Sequence, residues 1–216
     1  RPLELAILNL MPNKIDTETQ LLRLIANSPL QSNVVLLRTE TYDPKNTPIE
    51  HLRAFYHTFD EIKTAGAKFD GLMITGAPVE TMEFADVAYW QELKDVLAWA
   101  EHNVYSTLYI CWAAQAGVYL RYGIGKSPLP RKLSAIFRHR VLDKNDPLTR
   151  GFDDSFDAPH SRYTESDSAA MHRERRLKVL AESDEAGVYL SCSDDHRHVF
   201  VFGHGEYDAD TLDPEY

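Results

Sequence analysis

Cysteine is scarce in this chain: 216 residues hold two, Cys111 and Cys192, in unlike settings, so neither a disulfide framework nor a paired-cysteine metal knuckle is indicated. A reducing compartment fits that usage. No stretch approaches the roughly 20 apolar residues a membrane span needs, and the opening Arg1-Pro2-Leu3-Glu4 lacks a basic region leading into an apolar signal core. A soluble cytoplasmic protein is expected. The formal net charge is −10 and no run of lysine or arginine occurs, which argues against nucleic acid as a partner, because phosphate binding needs a concentrated basic face. Internal repeats, low-complexity segments and metal spacings of the His-Glu-x-x-His kind are also missing, so no metal is expected.

What is present suits a single globular domain spanning residues 1–216, with 44% apolar and 26% charged residues. Leu3 to Leu10 is a short apolar run closed by Met11-Pro12, the pattern of a buried parallel strand entering a loop. Thr17 and Gln20 then suggest a capping box, with Leu21, Leu22, Leu24 and Ile25 as the apolar face of a helix. The alternation continues with a strand at Val34 to Leu37, a helix at Leu52 to Ile62 and a strand at Phe69 to Ile74. A helix at Trp90 to Ala100 and a strand at Ser106 to Ile110 follow. Such an order predicts an α/β fold, a three-layer sandwich with helices on both faces of a mainly parallel sheet. Beyond Lys132 only short β-like runs stand out, at Ala135 to Phe137, Val188 to Ser191 and Val199 to Phe202, with a charged, helix-tolerant stretch from Ala169 to Arg176.

Cys111 ends an apolar strand and is followed at once by the small residues Ala113, Ala114, Ala116 and Gly117, a strand–turn–helix pattern. A thiol there sits at the carboxyl edge of the sheet, where helix N–H groups favour a thiolate and can bind an oxyanion. The plain alternative is a small buried hydrophobe, the reading that Cys192 receives. A thiol nucleophile needs a base and an orienting group. Of nine histidines, His204 stands out, because Gly203-His204-Gly205-Glu206 follows the core-like run Val199 to Phe202 and strand spacing points His204 and Glu206 the same way. A surface-loop histidine beside an unrelated glutamate is the competing reading. His57, His172, His196 and His198 lie in polar surroundings and read as surface residues.

The blocks Leu8-Asn9-Leu10-Met11-Pro12-Asn13-Lys14, Asn46-Thr47-Pro48, Phe69-Asp70-Gly71, Thr75-Gly76-Ala77-Pro78 and Val87-Ala88-Tyr89-Trp90 occur in that order. They are followed by Cys111-Trp112, Thr149-Arg150-Gly151-Phe152-Asp153-Asp154, Pro159-His160-Ser161-Arg162-Tyr163 and Gly203-His204-Gly205-Glu206-Tyr207. In these blocks the chain resembles the homoserine O-acyltransferases of methionine biosynthesis, the homoserine transsuccinylase family, whose flavodoxin-like fold is related to class I glutamine amidotransferases. The resemblance implies a ping-pong reaction in which Cys111 takes the acyl group from coenzyme A, His204 is the general base and Glu206 orients it. It further implies substrate contacts at Lys132 and Ser161, an active-site lysine at Lys14, and oxyanion donors in the backbone of Trp112 and Gly76. At the family's acyl-length position glycine leaves room for succinyl, whereas Glu80 fills the space and repels a second carboxylate, so acetyl-CoA is the implied donor. Acetyl-CoA is a substrate, no bound cofactor is implied, and a homodimer is expected by the same resemblance.

Two departures stand inside matching blocks. Gly205 replaces the usual Pro or Ser, and Arg138 replaces a common glutamate near the implied acceptor pocket. Serine O-acetyltransfer therefore stays open beside homoserine O-acetyltransfer, as does succinyl transfer. A glutamine amidotransferase-like hydrolase and a non-catalytic binding descendant are the alternatives from other classes. The family's N-terminal arm and its C-terminal region, with an acceptor-binding arginine, are expected to lie beyond this chain.

Overall fold

The computed structural model describes residues 1–41 and 46–212, which divide into two compact units meeting in sequence at Leu108 and Tyr109. The first unit is built as expected from alternating strands and helices. It runs β1 (Leu3–Leu8), α1 (Lys14–Ala26), β2 (Ser32–Arg38), α2 (Ile49–Phe55), β3 (Tyr56–Thr58), α3 (Phe59–Thr64), β4 (Phe69–Ile74) and α4 (Trp90–Asn103). β5 (Val104–Ile110) then carries the chain across the boundary. Strands order as β3-β2-β1-β4, all parallel, with Leu5 opposite Val34 on one side and Gly71 on the other. Ala6, Ile7 and Leu8 on the inner strand are buried, as a strand covered on both faces requires.

Two local expectations need correction. α1 starts at Lys14, not after Thr17; Thr17 lies inside the helix, and the capping box belongs to α3, where Thr58 and Glu61 exchange bonds. The helix expected over Leu52 to Ile62 is interrupted by β3, because Tyr56 to Thr58 pairs with Leu36 to Arg38. The buried face of α1 is also polar. Lys14, Thr17, Glu18 and Gln20 turn inward with Leu21, while Leu24 stays exposed.

That polar face has a destination. Asn9, just past β1, donates through Nδ2 to the Lys14 carbonyl at 3.1 Å and to Tyr56 Oη at 2.9 Å. The Tyr56 hydroxyl donates to Glu18 at 2.5 Å, and the other Glu18 oxygen lies 2.7 Å from His51 Nε2. Lys14 Nζ reaches the carbonyls of Asn9 and Met11. Every charge drawn inside is thus paired or hydrogen-bonded, the condition for burying it at all.

The second unit contains α5 (Trp112–Tyr122), β6 (Lys126–Val141), β7 (Ser155–Ser166), α6 (Ser168–Arg173), β8 (Leu177–Ser183), β9 (Gly187–Ser193) and β10 (His198–Val201). Its strands order as β10-β9-β8-β6-β7 and pair antiparallel. The β-like run at Ala135 to Phe137 is the middle of a 16-residue strand, and β7 and β8 went unread because polar residues alternate through them. α5 ends at Gly123, whose φ of 70° supplies the left-handed cap that glycine adopts without strain. Leu180, Ala181, Leu190 and Cys192 form a core cluster against Phe156, Tyr189, Val199 and Val201.

Candidate active site

Cys111 stands between β5 and α5 with φ 53° and ψ −114°, a conformation that a residue with a Cβ adopts only under constraint. The constraint is visible. Its N–H donates to the Val201 carbonyl at 2.7 Å, and its own carbonyl accepts from the N–H groups of Ala114 and Gln115 at 3.0 and 3.2 Å. The residue is therefore clamped by β10 on one side and by the first turn of α5 on the other. No acidic residue occupies that first turn, so the positive end of the helix dipole is left to act on the thiol. α5 can lie this close because Gly117 faces the stacked rings of Tyr109 and Phe200; a Cβ there would fall 2.8 Å from Phe200.

His204 follows β10 on a loop stitched at two points. Phe202 N–H donates to the Tyr189 carbonyl at 2.8 Å, and His204 N–H donates to the Pro159 carbonyl at 2.9 Å. Between them Gly203 is sterically required, since a Cβ would meet Pro159 O at 2.8 Å and the Tyr189 ring at 2.7 Å. His204 Nδ1 lies 2.7 Å from Glu206 Oε1, with side chains only 5% and 8% exposed, and Tyr207 stacks on the imidazole at 4.1 Å. Gly205 does not loosen this pair; a side chain there would approach the Tyr189 hydroxyl at 3.2 Å.

The remaining nitrogen, Nε2, is buried and has no completed hydrogen bond among the described residues. Burial alone would lower the His204 pKa, but the neighbouring Cys111 sulfur and the Glu206 carboxylate outweigh it and hold the ring well above the ordinary histidine value. A sulfur, an imidazole and a carboxylate are thus brought into electrical contact inside a dry site. An imidazolium there stabilises a thiolate, and a neutral ring can accept a proton.

Two buried histidines behind His204 escaped the sequence reading. His139 on β6 and His160 on β7 meet Nε2 to Nε2 at 2.9 Å, stacked at 5.0 Å between centroids. Burial, then Arg162, His139 and His204, push His160 down to about 2, and burial lowers His139 as well, so both rings stay neutral. Tyr189 packs against both, and burial together with Glu206 pushes its phenol up to about 12. Alternation along β6 and β7 was the available signal, but only Ala135 to Phe137 within β6 reads as β-like in the sequence, and His139 and His160 fall outside it.

The other expected residues divide between the units. Lys132 and Ser161 lie on β6 and β7. Lys132 Nζ sits 5.6 Å over the Tyr163 ring, and Ser161 pairs with Ser134. Arg138 is exposed. It alternates with buried His139 onto the exposed face of β6 and donates to Ser155 Oγ at 2.7 and 3.0 Å. Lys14, Gly76 and Glu80 belong to the first unit. Lys14 is buried in the network above; burial, then Arg38, lower its amine to about 8 against the pull of Glu18. Gly76 is buried, and its carbonyl accepts from Thr75 Oγ1 at 3.0 Å. Glu80 is half-buried in the turn that follows β4. His198, read as a surface residue, is buried, its Nδ1 3.2 Å from Tyr109 Oη; His57 and His172 are exposed as expected.

The chain is similar in sequence to the homoserine O-acetyltransferase of Thermotoga petrophila, 58% identical over 216 residues that cover 100% of this chain and 70% of that protein. The homoserine O-acetyltransferases of Acetivibrio thermocellus and Clostridium acetobutylicum are 56% and 54% identical over the whole chain, which covers 70% and 71% of them. Among solved structures, the glutaminase domain of Trypanosoma brucei CTPS with bound acivicin superposes with a TM-score of 0.67 at 14% identity, covering 99% of this chain and 89% of that one. A glutamine amidotransferase from Thermotoga maritima gives 0.64 at 11% identity, covering 98% and 79%. These two share the α/β fold of the class I glutamine amidotransferases. The model of the family described as homoserine O-succinyltransferase matches residues 1–216, and with strand, elbow and histidine loop all in place the chain belongs to that family.

Proposed function

We propose that this protein is a cytoplasmic, homodimeric homoserine O-acetyltransferase that works through a Cys111 thioester. The observation that carries the reading is the buried His204–Glu206 pair at 2.7 Å, with the Cys111 sulfur raising the same imidazole from a strained strand-to-helix elbow. In the proposed cycle the reacting form is a Cys111 thiolate beside a protonated His204. The thiolate attacks the acetyl-CoA carbonyl, the bond to the coenzyme sulfur breaks, and that sulfur leaves with the proton of His204. Acetylation erases the charge on Cys111, and with it the leading influence that raised the His204 pKa. The ring becomes a base at the step that needs one. It takes the proton of the acceptor hydroxyl, the oxygen attacks the thioester, and the departing thiolate restores the starting pair. The N–H groups of Trp112 and Gly76 are assigned to the oxyanion.

The acetyl donor follows from Glu80, whose carboxylate opposes a succinyl tail, and from relatives that bear the acetyltransferase name although the family is described by succinyl transfer. Lys132 and Ser161 are assigned to the amino acid, Lys14 to the active site. Mass spectrometry after mixing with acetyl-CoA should show an acetyl adduct that is absent in Cys111→Ala; an adduct persisting in that variant refutes the nucleophile. Steady-state kcat/KM for homoserine and serine, each with acetyl-CoA and succinyl-CoA, tests both pockets. In Glu80→Gly the preference for acetyl-CoA over succinyl-CoA should fall by about tenfold or more. Ammonia release from glutamine without release of the CoA thiol would point to a hydrolase instead.

A further inference from the structure

Away from Cys111 and His204, three side chains with metal-ligating atoms converge within the second unit. Asp146, Cys192 and His196 each offer one ligand atom, and these atoms lie within 4.8 Å of one another. They come from separate pieces of chain. Asp146 sits in the turn between β6 and β7, where the N–H groups of Thr149 and Arg150 donate to its backbone carbonyl at 3.1 and 3.0 Å. Its Oδ1 accepts from Leu148 N–H at 3.0 Å, which aims Oδ2 at His196 Nε2, 2.8 Å away. His196 is presented by the β9–β10 turn at a left-handed φ of 57°, its N–H donating to the Ser193 carbonyl at 2.9 Å. Cys192 lies on β9 opposite Val199 and Lys178.

We infer that Asp146, Cys192 and His196 form a binding site for one divalent transition-metal ion of the zinc class, pinning the β6–β7 turn to the β9–β10 turn. The donor set, thiolate with imidazole and carboxylate, selects zinc-like ions over magnesium or calcium. Tetrahedral bonds of about 2.0 Å to nitrogen or oxygen and about 2.3 Å to sulfur hold ligand atoms roughly 3.3–3.7 Å apart. The Asp146–His196 separation of 2.8 Å is shorter than that span and no pair exceeds 4.8 Å, so small side-chain movements complete the site. Asp146 and Cys192 are buried while the His196 side chain is 29% exposed, which leaves an approach from solvent on the His196 side. On binding, the Cys192 S–H bond breaks, its proton goes to solvent and sulfur bonds the metal, so carboxylate and thiolate together balance the cation. Lys178 adds positive charge nearby and Asp194 and Asp195 negative charge. Cys192 is not a second nucleophile, because burial and then Asp146 push its thiol up to about 12.

The test uses chelator-treated protein titrated with Co²⁺ as a visible probe and Zn²⁺ in thermal melts. One equivalent of cobalt should bind with a thiolate-to-metal charge-transfer band that persists in Cys111→Ser and vanishes in Cys192→Ser and in His196→Asn. Zinc should raise the melting temperature only where Cys192 and His196 are both intact. Asparagine tolerates a left-handed backbone, so His196→Asn remains informative if Cys192→Ser fails to fold. Absence of the band in the parent protein, or a band that follows Cys111 or survives loss of Cys192 or His196, overturns the assignment.

Discussion

At the scale of single residues, charge placed where water is excluded sets the behaviour of both units. His204 carries a raised pKa because Glu206 and the Cys111 sulfur hold its proton against burial. Replacing Glu206 by Gln removes one of the two, so the pH midpoint of the acetyl-transfer half-reaction should move downward while its rate drops by about a hundredfold or more. Stopped-flow deacylation of the acetyl-enzyme over a pH series measures both. Lys14 behaves oppositely. Its folded pKa, about 8, lies below the unfolded value of 10.5, so the unfolded chain binds the proton more tightly between them. Stability should rise with pH from about 8 toward 10, before the raised Tyr56 phenol begins to oppose it. Urea unfolding of the parent and Lys14→Met across that window should show the rise in the parent alone.

At the scale of elements, the loop after β10 is where sequence becomes geometry. Gly203 lets the Tyr189 ring and the Pro159 carbonyl close on the backbone that presents His204. Gly203→Ala forces that backbone away and should cost about 1–3 kcal/mol in chemical denaturation, with a loss of kcat larger than any change in KM. Thr58→Ala at the capping box of α3 should cost about 1 kcal/mol with activity retained. The strands of the first unit and the one that delivers Cys111 were legible because β1, β4 and the end of β5 are short, mostly apolar runs. Beyond Ala135 to Phe137, β6 and β7 were not, because strands that alternate His139 with Arg138, or His160 with Ser161, offer no apolar run to count. α1 misled for the converse reason: Leu24 is exposed while Lys14 and Glu18 are inside beside Leu21, a tertiary network overriding the amphipathic rule.

At the scale of the whole molecule, the chain comprises a parallel unit and an antiparallel one, and the two were unequally readable. Alternating strands and helices in residues 1–108 announce their arrangement through local pattern. The pairing of β6 with β8 and the meeting of Asp146 with Cys192 and His196 depend on partners tens of residues away, which no window of sequence contains. Cys111 could be singled out nevertheless because it stands immediately after an apolar strand, and His204 and Glu206 because they follow another within a few residues, where the chain must turn. Among the described residues no helix is long and apolar enough to cross a membrane.

The unusual torsion angles at Cys111 bear on how the folded state is selected. With φ 53° and ψ −114° the position suits glycine far better than any residue bearing a Cβ. Cys111→Gly should therefore melt at a higher temperature than Cys111→Ala, reversing the usual order of those two replacements, as calorimetry on both would reveal. Natural selection for robustness alone would have emptied this position of its side chain, so a sulfur atom kept there records a demand that durability does not make.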